Sequence, residues 1–279
     1  MPINESKIIE PTSCMNCLGI MVNARTGELT IPEDKLQEVV ELCSIWRTRR
    51  FATRKALQKL LGKLIYVHRC VKPARLFVNR ILAALRTAPV KGSIMLNDEF
   101  YRDIEWFCQF LKDFNGVVEI HKKTVLPIAV YVDACLQGFG GYCQGEVYFK
   151  EVPFRFRLNL SIVHLEMLNV LLAIRLWCRS WANETIALFC DNLAVVEILK
   201  KGRTRDKFLL ACARNVWLYL SKFNIQLEVS HIIGKENIFA DTLSRWFHFK
   251  NVDNPTVNRL RASKWQYIQD DWCNPDFSI

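Results

Sequence analysis

No uncharged apolar run in these 279 residues approaches the ~20 apolar residues that a membrane-spanning helix needs. The polar start MPINESKIIE lacks the layout of a secretory signal, and no internal repeat or low-complexity tract interrupts the chain. No membrane partner is expected; the chain reads as a soluble protein of the cytoplasm, or of the nucleus. A disulfide framework is missing too. The eleven cysteines are odd in number and scattered, many at apolar positions such as Cys190 and Cys212, and read as reduced thiols. Cys14 and Cys17 form a lone C-x-x-C without a second ligand pair nearby, and Leu18, Ile20 and Val22 suggest a strand, so zinc is not expected there.

Acid is absent from one long stretch. Between Arg47 and Lys91 there are thirteen Lys or Arg and no Asp or Glu. Taking those thirteen from the 38 basic residues leaves 25 against 28 acidic, a net of −3, so the whole positive excess of the chain is local. Leu57, Leu60, Leu61, Leu64 and Val67 recur in it at helical spacing, with Thr53 placed to cap the helix. The stretch is therefore expected to be an ordered amphipathic helix whose outer face, with Arg49, Arg50, Arg54, Lys55, Lys59 and Lys63, tracks a phosphate backbone. A merely soluble basic surface is the alternative. A membrane-surface helix is not expected, because the face lacks an aromatic-rich apolar belt.

What is present in the second half is a set of acidic residues inside apolar segments. Asp133 lies in YVDACLQGFGG, Glu166 in VHLEMLNVLLAIRLW, Asp191 in IALFCDNLAVVEIL and Asp241 in HIIGKENIFADTLSRW. Unpaired carboxylates in apolar surroundings cost several kcal/mol unless a cation compensates them. The surrounding pattern makes convergence reasonable. Ile128 to Ala134 is a β-branched run followed by Gly138, Gly140 and Gly141, with short strands near Tyr142 and at Val147 to Phe149, a three-strand meander. A long helix then runs from Val163 to Trp181 with Leu165, Leu168, Leu172 and Leu176 as its apolar stripe and Asn169 beside Glu166. Ile186 to Cys190 is a buried strand, and Asn192 can cap a helix from Leu193 to Lys200. A helix over Asp206 to Phe223, a strand over Ile225 to His231 and a last helix from about Asn237 complete the order βββαβαβα, in which ligands gather where strand ends meet helix starts.

Asp in the first strand, Glu in the first helix, Asp after the fourth strand and Asp in the final helix resemble ribonuclease H in order and spacing. The string HIIGKENIFADTLSR is similar to the end of the RNase H domain of retrotransposon reverse transcriptases, gypsy- or DIRS-like, over roughly Val125 to Phe247. The stretch INESKIIEPTSCMNCLGIMVNARTGELTIPEDKL resembles the part of reverse transcriptase that follows the polymerase carboxylates, and the helices after it resemble the thumb. No YxDD-type motif occurs, so no polymerase activity is expected of this chain alone, and the missing polymerase part of the element is an implied partner.

The resemblance implies an α/β fold class, an RNase H-like mixed five-stranded sheet with flanking helices, preceded by a mainly helical thumb-like domain. It divides the chain into a palm remnant over 1–32, a basic thumb-like domain over 33–95, a connecting helix and linker over 96–124, the nuclease domain over 125–249 and a tail over 250–279. It further implies hydrolysis of RNA in RNA/DNA hybrids with two Mg²⁺ ions, for which Mn²⁺ can substitute, held by Asp133, Glu166, Asp191 and Asp241. His231 stands ten residues before Asp241, the spacing at which cellular RNases H carry a loop histidine for proton transfer or product release; a strand-end histidine without that duty is the alternative. Lys235, in the loop Ile232 to Glu236, would stay near phosphate. His164 reads as structural.

Each carboxylate also has an ordinary reading: Asp191 as a helix cap, Asp241 as a first-turn dipole partner, Glu166 as an exposed helix position and Asp133 as a turn former. Two rival functions stand beside the ribonuclease. Integrases and transposases share the sheet, but usually take a Glu from the late helix where this chain has Asp241. A non-catalytic remnant would bind nucleic acid through the basic block alone.

Overall fold

The computed structural model describes residues 10–113, 118–119 and 126–276. The chain divides into two compact units, Met1–Thr124 and Val125–Ile279. Most of the linker expected over 115–124 lies outside the described residues.

In the first unit β1 (Cys14–Cys17), β2 (Ile20–Asn23) and β3 (Glu28–Thr30) form an antiparallel sheet, from which α1 (Glu33–Thr48) follows. Then come β4 (Phe51–Thr53), α2 (Arg54–Val67), a 3₁₀ turn over Lys72–Val78, α3 (Asn79–Thr87), β5 (Ser93–Met95), α4 (Asp98–Asp113) and β6 (Val118–Glu119). The expected cap is in place: the Thr53 side chain accepts from the Ala56 N–H at 3.3 Å. Leu57, Leu60, Leu61, Leu64 and Val67 are all buried, so the periodic apolar stripe of α2 does face a core. The helix read in the sequence as a connector packs within this unit. Phe100, Ile104, Phe107 and Leu111 of α4 are buried, and the helix lies against α1 and α3.

The second unit is a mixed six-stranded sheet with flanking helices, the RNase H-like architecture. Its strands are β7 (Ile128–Ala134), β8 (Gly138–Cys143), β9 (Glu146–Glu151), β10 (Thr185–Cys190), β11 (Gln226–His231) and β12 (Lys264–Trp265), in the spatial order β11-β10-β7-β8-β9-β12. The meander β7-β8-β9 is antiparallel, and β10 joins β7 and β11 in parallel. The helices are α5 (Phe154–Asn159), α6 (Ile162–Trp177), α7 (Leu193–Lys201), α8 (Lys207–Lys222), α9 (Ile238–Ser244), α10 (Trp246–Phe249) and α11 (Pro255–Arg261). Helix α6 is not an ordinary amphipathic helix: every residue from Leu165 to Ile174 is buried, because the sheet covers one side and α8 the other. It ends four residues before the expected Trp181, the chain continuing as turns with Trp181 N–H bonded to Trp177 O at 3.2 Å.

The sixth strand comes from residues set apart in the sequence as a tail. Lys264 and Trp265 pair in parallel with Glu146 and Val147 at the open edge of the meander. Beyond them Ile268 and Cys273 are buried, and Asn215 of α8 donates to Asp276 O at 2.9 Å. An edge strand left open invites pairing with another chain, and this segment shields it.

Candidate active site

The loop geometry of the sheet and two glycines place the four carboxylates. Asp133 is the penultimate residue of β7 and pairs across to Gly140. Strand β10 runs parallel to β7 with Phe189 level with Tyr131, so Asp191, just past its end, comes level with Asp133. Helix α9 lies close on β7 and β8 because Gly138 and Gly140 carry no side chain there. A Cβ on Gly140 would stand 2.3 Å from Ser244 N and 2.6 Å from Ala240 O. That contact fixes Asp241 over the strand ends. Glu166 enters from α6, its Oε1 accepting from the Ala134 N–H at 3.0 Å.

Three of the four depart from their ordinary roles. Asn192, not Asp191, caps α7, accepting from Ala194 N–H at 3.1 Å. Glu166 is only 3% exposed, and Asp133, 5% exposed, sits within a paired strand rather than a turn. Asp241 does lie in the first turn of α9. All four side chains line one open cleft of about 730 Å³, together with Gln137, Ile162, Asn192, Arg245 and His248. The fold thus brings the expected tetrad together.

The electrostatics of that cleft are unbalanced. Burial, aided by the Asp191 and Asp241 charges, pushes the Asp133 carboxyl up to about 7. Burial and the neighbouring Asp133 charge push Glu166 well above the ordinary carboxylate range, and burial raises Asp191 as well. Carboxylates raised by burial and by neighbouring charges, Glu166 by Asp133 and Asp133 by Asp191 and Asp241, call for a compensating cation. Arg245 supplies one locally, its Nε meeting Asp241 Oδ1 at 2.9 Å, but that pair lies at the exposed rim. The buried Oδ2 of Asp133 has no hydrogen-bond partner. An orphaned buried carboxylate oxygen beside three further carboxylates fits a divalent cation, and an oxygen donor set fits a hard one. Among the described residues a group of candidate ligands contains an unexpected member: Glu166, Cys190 and Asp191 offer donor atoms all within 4.8 Å of one another.

Several residues that hold the site carried no assigned role in the sequence. Asn169, one turn beyond Glu166, is fully buried and donates to Asp133 O at 2.7 Å and to Gly140 O at 2.9 Å, while its Oδ1 accepts from Tyr148 Oη at 2.7 Å. It ties α6 to the two strands at the level of Asp133. Asn237 anchors the start of α9, donating to Val132 O at 2.9 Å. The signal was there: a polar residue three positions after an acid, on a helix otherwise apolar all round, has to find buried partners.

His231 ends β11, exposed, with Nε2 3.0 Å from Asp191 O. It does not line the cleft. Its loop comes close all the same: a Cβ on Gly234 would stand 3.3 Å from Asp191 Oδ2, and Lys235 beside it is exposed. His164 closes the start of α6, where its Nδ1 accepts from the Ser161 N–H at 3.2 Å, and its Nε2 lies 3.0 Å from Asp206 Oδ2.

The basic stretch of the first unit is narrower than its sequence suggests. Arg47 pairs with Glu105 at 2.7 Å, Lys63 with Glu38 at 2.5 Å and Arg80 with Glu99 at 2.7 Å. The acids come from α1 and α4, outside the acid-free window, which is why counting along the chain overlooked them. Arg54 is half-buried and donates to Ala88 O at 3.1 Å, and Arg49 donates to Phe51 O at 2.9 Å while stacking over the Trp46 ring. Arg50, Lys55 and Lys59 are exposed, the two lysines one turn apart on α2. No helix among the described residues is long and apolar enough to cross a membrane.

No family model matches the chain, and no curated protein does. Among solved structures it is similar to foamy viral protease-reverse transcriptase chains, each at 14% identity over 78% of this chain. The complex with RNA/DNA hybrid gives a TM-score of 0.34, the complex with dsDNA 0.35, and the dRH form in complex with ds DNA 0.33. The chain spans 29%, 45% and 38% of the length of those three, respectively.

Proposed function

We propose that the second unit is a divalent-cation-dependent nuclease that hydrolyses the RNA strand of an RNA/DNA hybrid, in a chain related to the reverse transcriptases of retroelements. The observation that carries this reading is the convergence of Asp133, Glu166, Asp191 and Asp241, from four separate elements, on one cleft in which a buried Asp133 oxygen has no partner. Those four residues would hold the ions, Mg²⁺ by preference and Mn²⁺ as a substitute. When bound, a pair of such ions supplies an activated water on one side of a phosphodiester and charge neutralisation at the leaving oxygen on the other.

The chain itself does the positioning. Asn169 fixes the backbone of Asp133, Ala134 N–H fixes Glu166, and Asn192 takes the capping duty that leaves the Asp191 carboxylate free. Arg245 holds one oxygen of Asp241 at the rim, where a cationic side chain also suits an incoming phosphate. By the resemblance to ribonuclease H, Glu166 would also meet a ribose 2′-hydroxyl, the group that separates RNA from DNA.

The decisive test is cleavage of a hybrid labelled on each strand in turn, using the whole chain. Cleavage of the RNA strand that requires Mg²⁺ or Mn²⁺ is expected. Equal cutting of the DNA strand, or full activity in EDTA, sinks the reading.

Binding and chemistry are expected to separate. Lys55→Ala with Lys59→Ala removes two exposed cations of α2 and is expected to flatten the slope of log affinity against log salt by about 1.8, at about 0.9 for each phosphate no longer neutralised. A slope unchanged in that double variant shows that the duplex does not lie on this face.

His231 is proposed to assist the leaving group or product release from the edge of the site. His231→Ala is expected to lower kcat by roughly 10 to 100-fold with hybrid affinity little changed, a smaller loss than removing a metal ligand. Single- and multiple-turnover rates equal to the parent's would return His231 to a purely structural role.

A further inference from the structure

Cys190 has no place in the chemistry above, yet it stands inside the carboxylate cluster. It ends β10 on the buried side of the strand, following Ile186 and Leu188, and is fully buried. Its Sγ donates to Glu166 Oε2 at 3.8 Å. Sγ, a Glu166 oxygen and an Asp191 oxygen all lie within 4.8 Å of one another, and Asp133, whose buried Oδ2 has no partner, lines the cleft with Glu166 and Asp191.

The donor set is mixed, and that decides which cations it favours. Mg²⁺ is hard and takes oxygen, so a thiol in its shell adds nothing. Zinc and cadmium accept thiolate together with carboxylate, and zinc binds four donors tetrahedrally with Zn–S about 2.3 Å and Zn–O about 2.1 Å. Donors around such an ion stand about 3.5 Å apart, so the present group closes on it by shifts of about an ångström.

We propose that Glu166, Cys190 and Asp191 form a site for a thiophilic divalent cation, zinc or cadmium, which shares two carboxylates with the hard-cation site and shuts the nuclease off when filled. Binding would exchange the thiol proton and all but one of the ion's waters, released to solvent, for one metal–sulfur and two metal–oxygen bonds, a retained water filling the fourth position, with no electron transferred. The shared carboxylates make the two kinds of cation mutually exclusive. The blocking role rests on the nuclease reading of the cleft; the metal site itself does not.

The test uses the full chain carrying Cys14→Ser and Cys17→Ser, so that the exposed thiols of β1 do not contribute. Cadmium is titrated without nucleic acid and followed by its thiolate charge-transfer absorption. One equivalent of that absorption is expected to disappear in both Cys190→Ala and Cys190→Ser, whose melting temperatures report that each is folded. In the cleavage assay, the zinc concentration for half-inhibition is expected to rise by at least about 10- to 100-fold in both variants, each referred to its own Mg²⁺-supported rate, since loss of an outer-shell partner alone costs that much. An undiminished absorption band, or zinc sensitivity equal to the parent's, overturns the site. If the parent shows the Cys190-dependent band but cuts no hybrid with Mg²⁺, the nuclease reading fails while the thiophilic site stands.

Discussion

Asp133→Asn is expected to reduce hybrid cleavage by about 10²- to 10³-fold, the scale seen when a group that stabilises transition-state charge is removed. The same substitution is expected to make the metal-free protein more stable near neutral pH. Burial raises the folded-state pKa of Asp133 from 3.8 to about 7. Between those values the folded chain keeps a proton that the unfolded chain has already released, so stability is highest below about pH 4 and falls as pH rises towards 7. That rise sets an upper bound of about 4 kcal/mol, and relaxation around the carboxylate leaves about 1 to 3 kcal/mol. Asparagine has no such penalty. Melting temperatures in EDTA should therefore diverge between parent and variant from pH 4 to pH 8, with the variant the higher. Added Mg²⁺ should raise the parent and leave the variant nearly unmoved. A variant that cuts at close to the parental rate, or a pH-independent difference in melting, removes Asp133 from the centre of the site.

Gly140→Ala is expected to be the most damaging change of a single methyl group. Its Cβ would meet Ser244 N at 2.3 Å and Ala240 O at 2.6 Å, both backbone atoms of α9. Backbone cannot rotate away as a side chain can, so either the helix lifts from the sheet or β8 is displaced. Overpacking of this kind costs about 3 kcal/mol or more. Lifting α9 carries Asp241 and Arg245 with it, so cleavage should fall by about 10²-fold even in molecules that remain folded, the loss that follows from misplacing a reacting group by an ångström. Gly62→Ala is the matched control, because nothing lies within 4 Å of a Cβ there. On the exposed face of α2 it should stabilise the helix by about 0.8 to 1 kcal/mol. If Gly140→Ala melts with the parent and cuts normally, close helix-on-sheet packing is not what places Asp241.

Local signals account for much of the second unit. The β-branched run at Ile128, the apolar helix around Leu168 and the acids that end or follow strands define elements whose order permits few topologies, because parallel strands need crossover connections. The acid-free basic stretch announced an ordered helix through its leucine spacing, and α2 buries those leucines. Three features were illegible. The edge strand of Lys264 and Trp265 is two residues long, too short for any alternation, and exists only because β9 offers open backbone groups. The pairing of Lys63 with Glu38 joins residues 25 apart that helix packing alone makes neighbours. Cys190 reads simply as the last inward residue of a buried strand until Glu166 arrives beside it from α6.

The sequence by itself therefore determined which residues are candidates and which elements carry them, since hydrophobic period and caps are written within a few residues of each other. Only the tertiary structure decided how those candidates are used. It left Asp133 Oδ2 without a partner, anchored Asn237 on Val132 O and put a thiol against Glu166, because each depends on atoms from segments distant along the chain meeting at distances of a few ångströms. Charge compensation and ligand geometry are properties of such distances, and a linear pattern does not contain them.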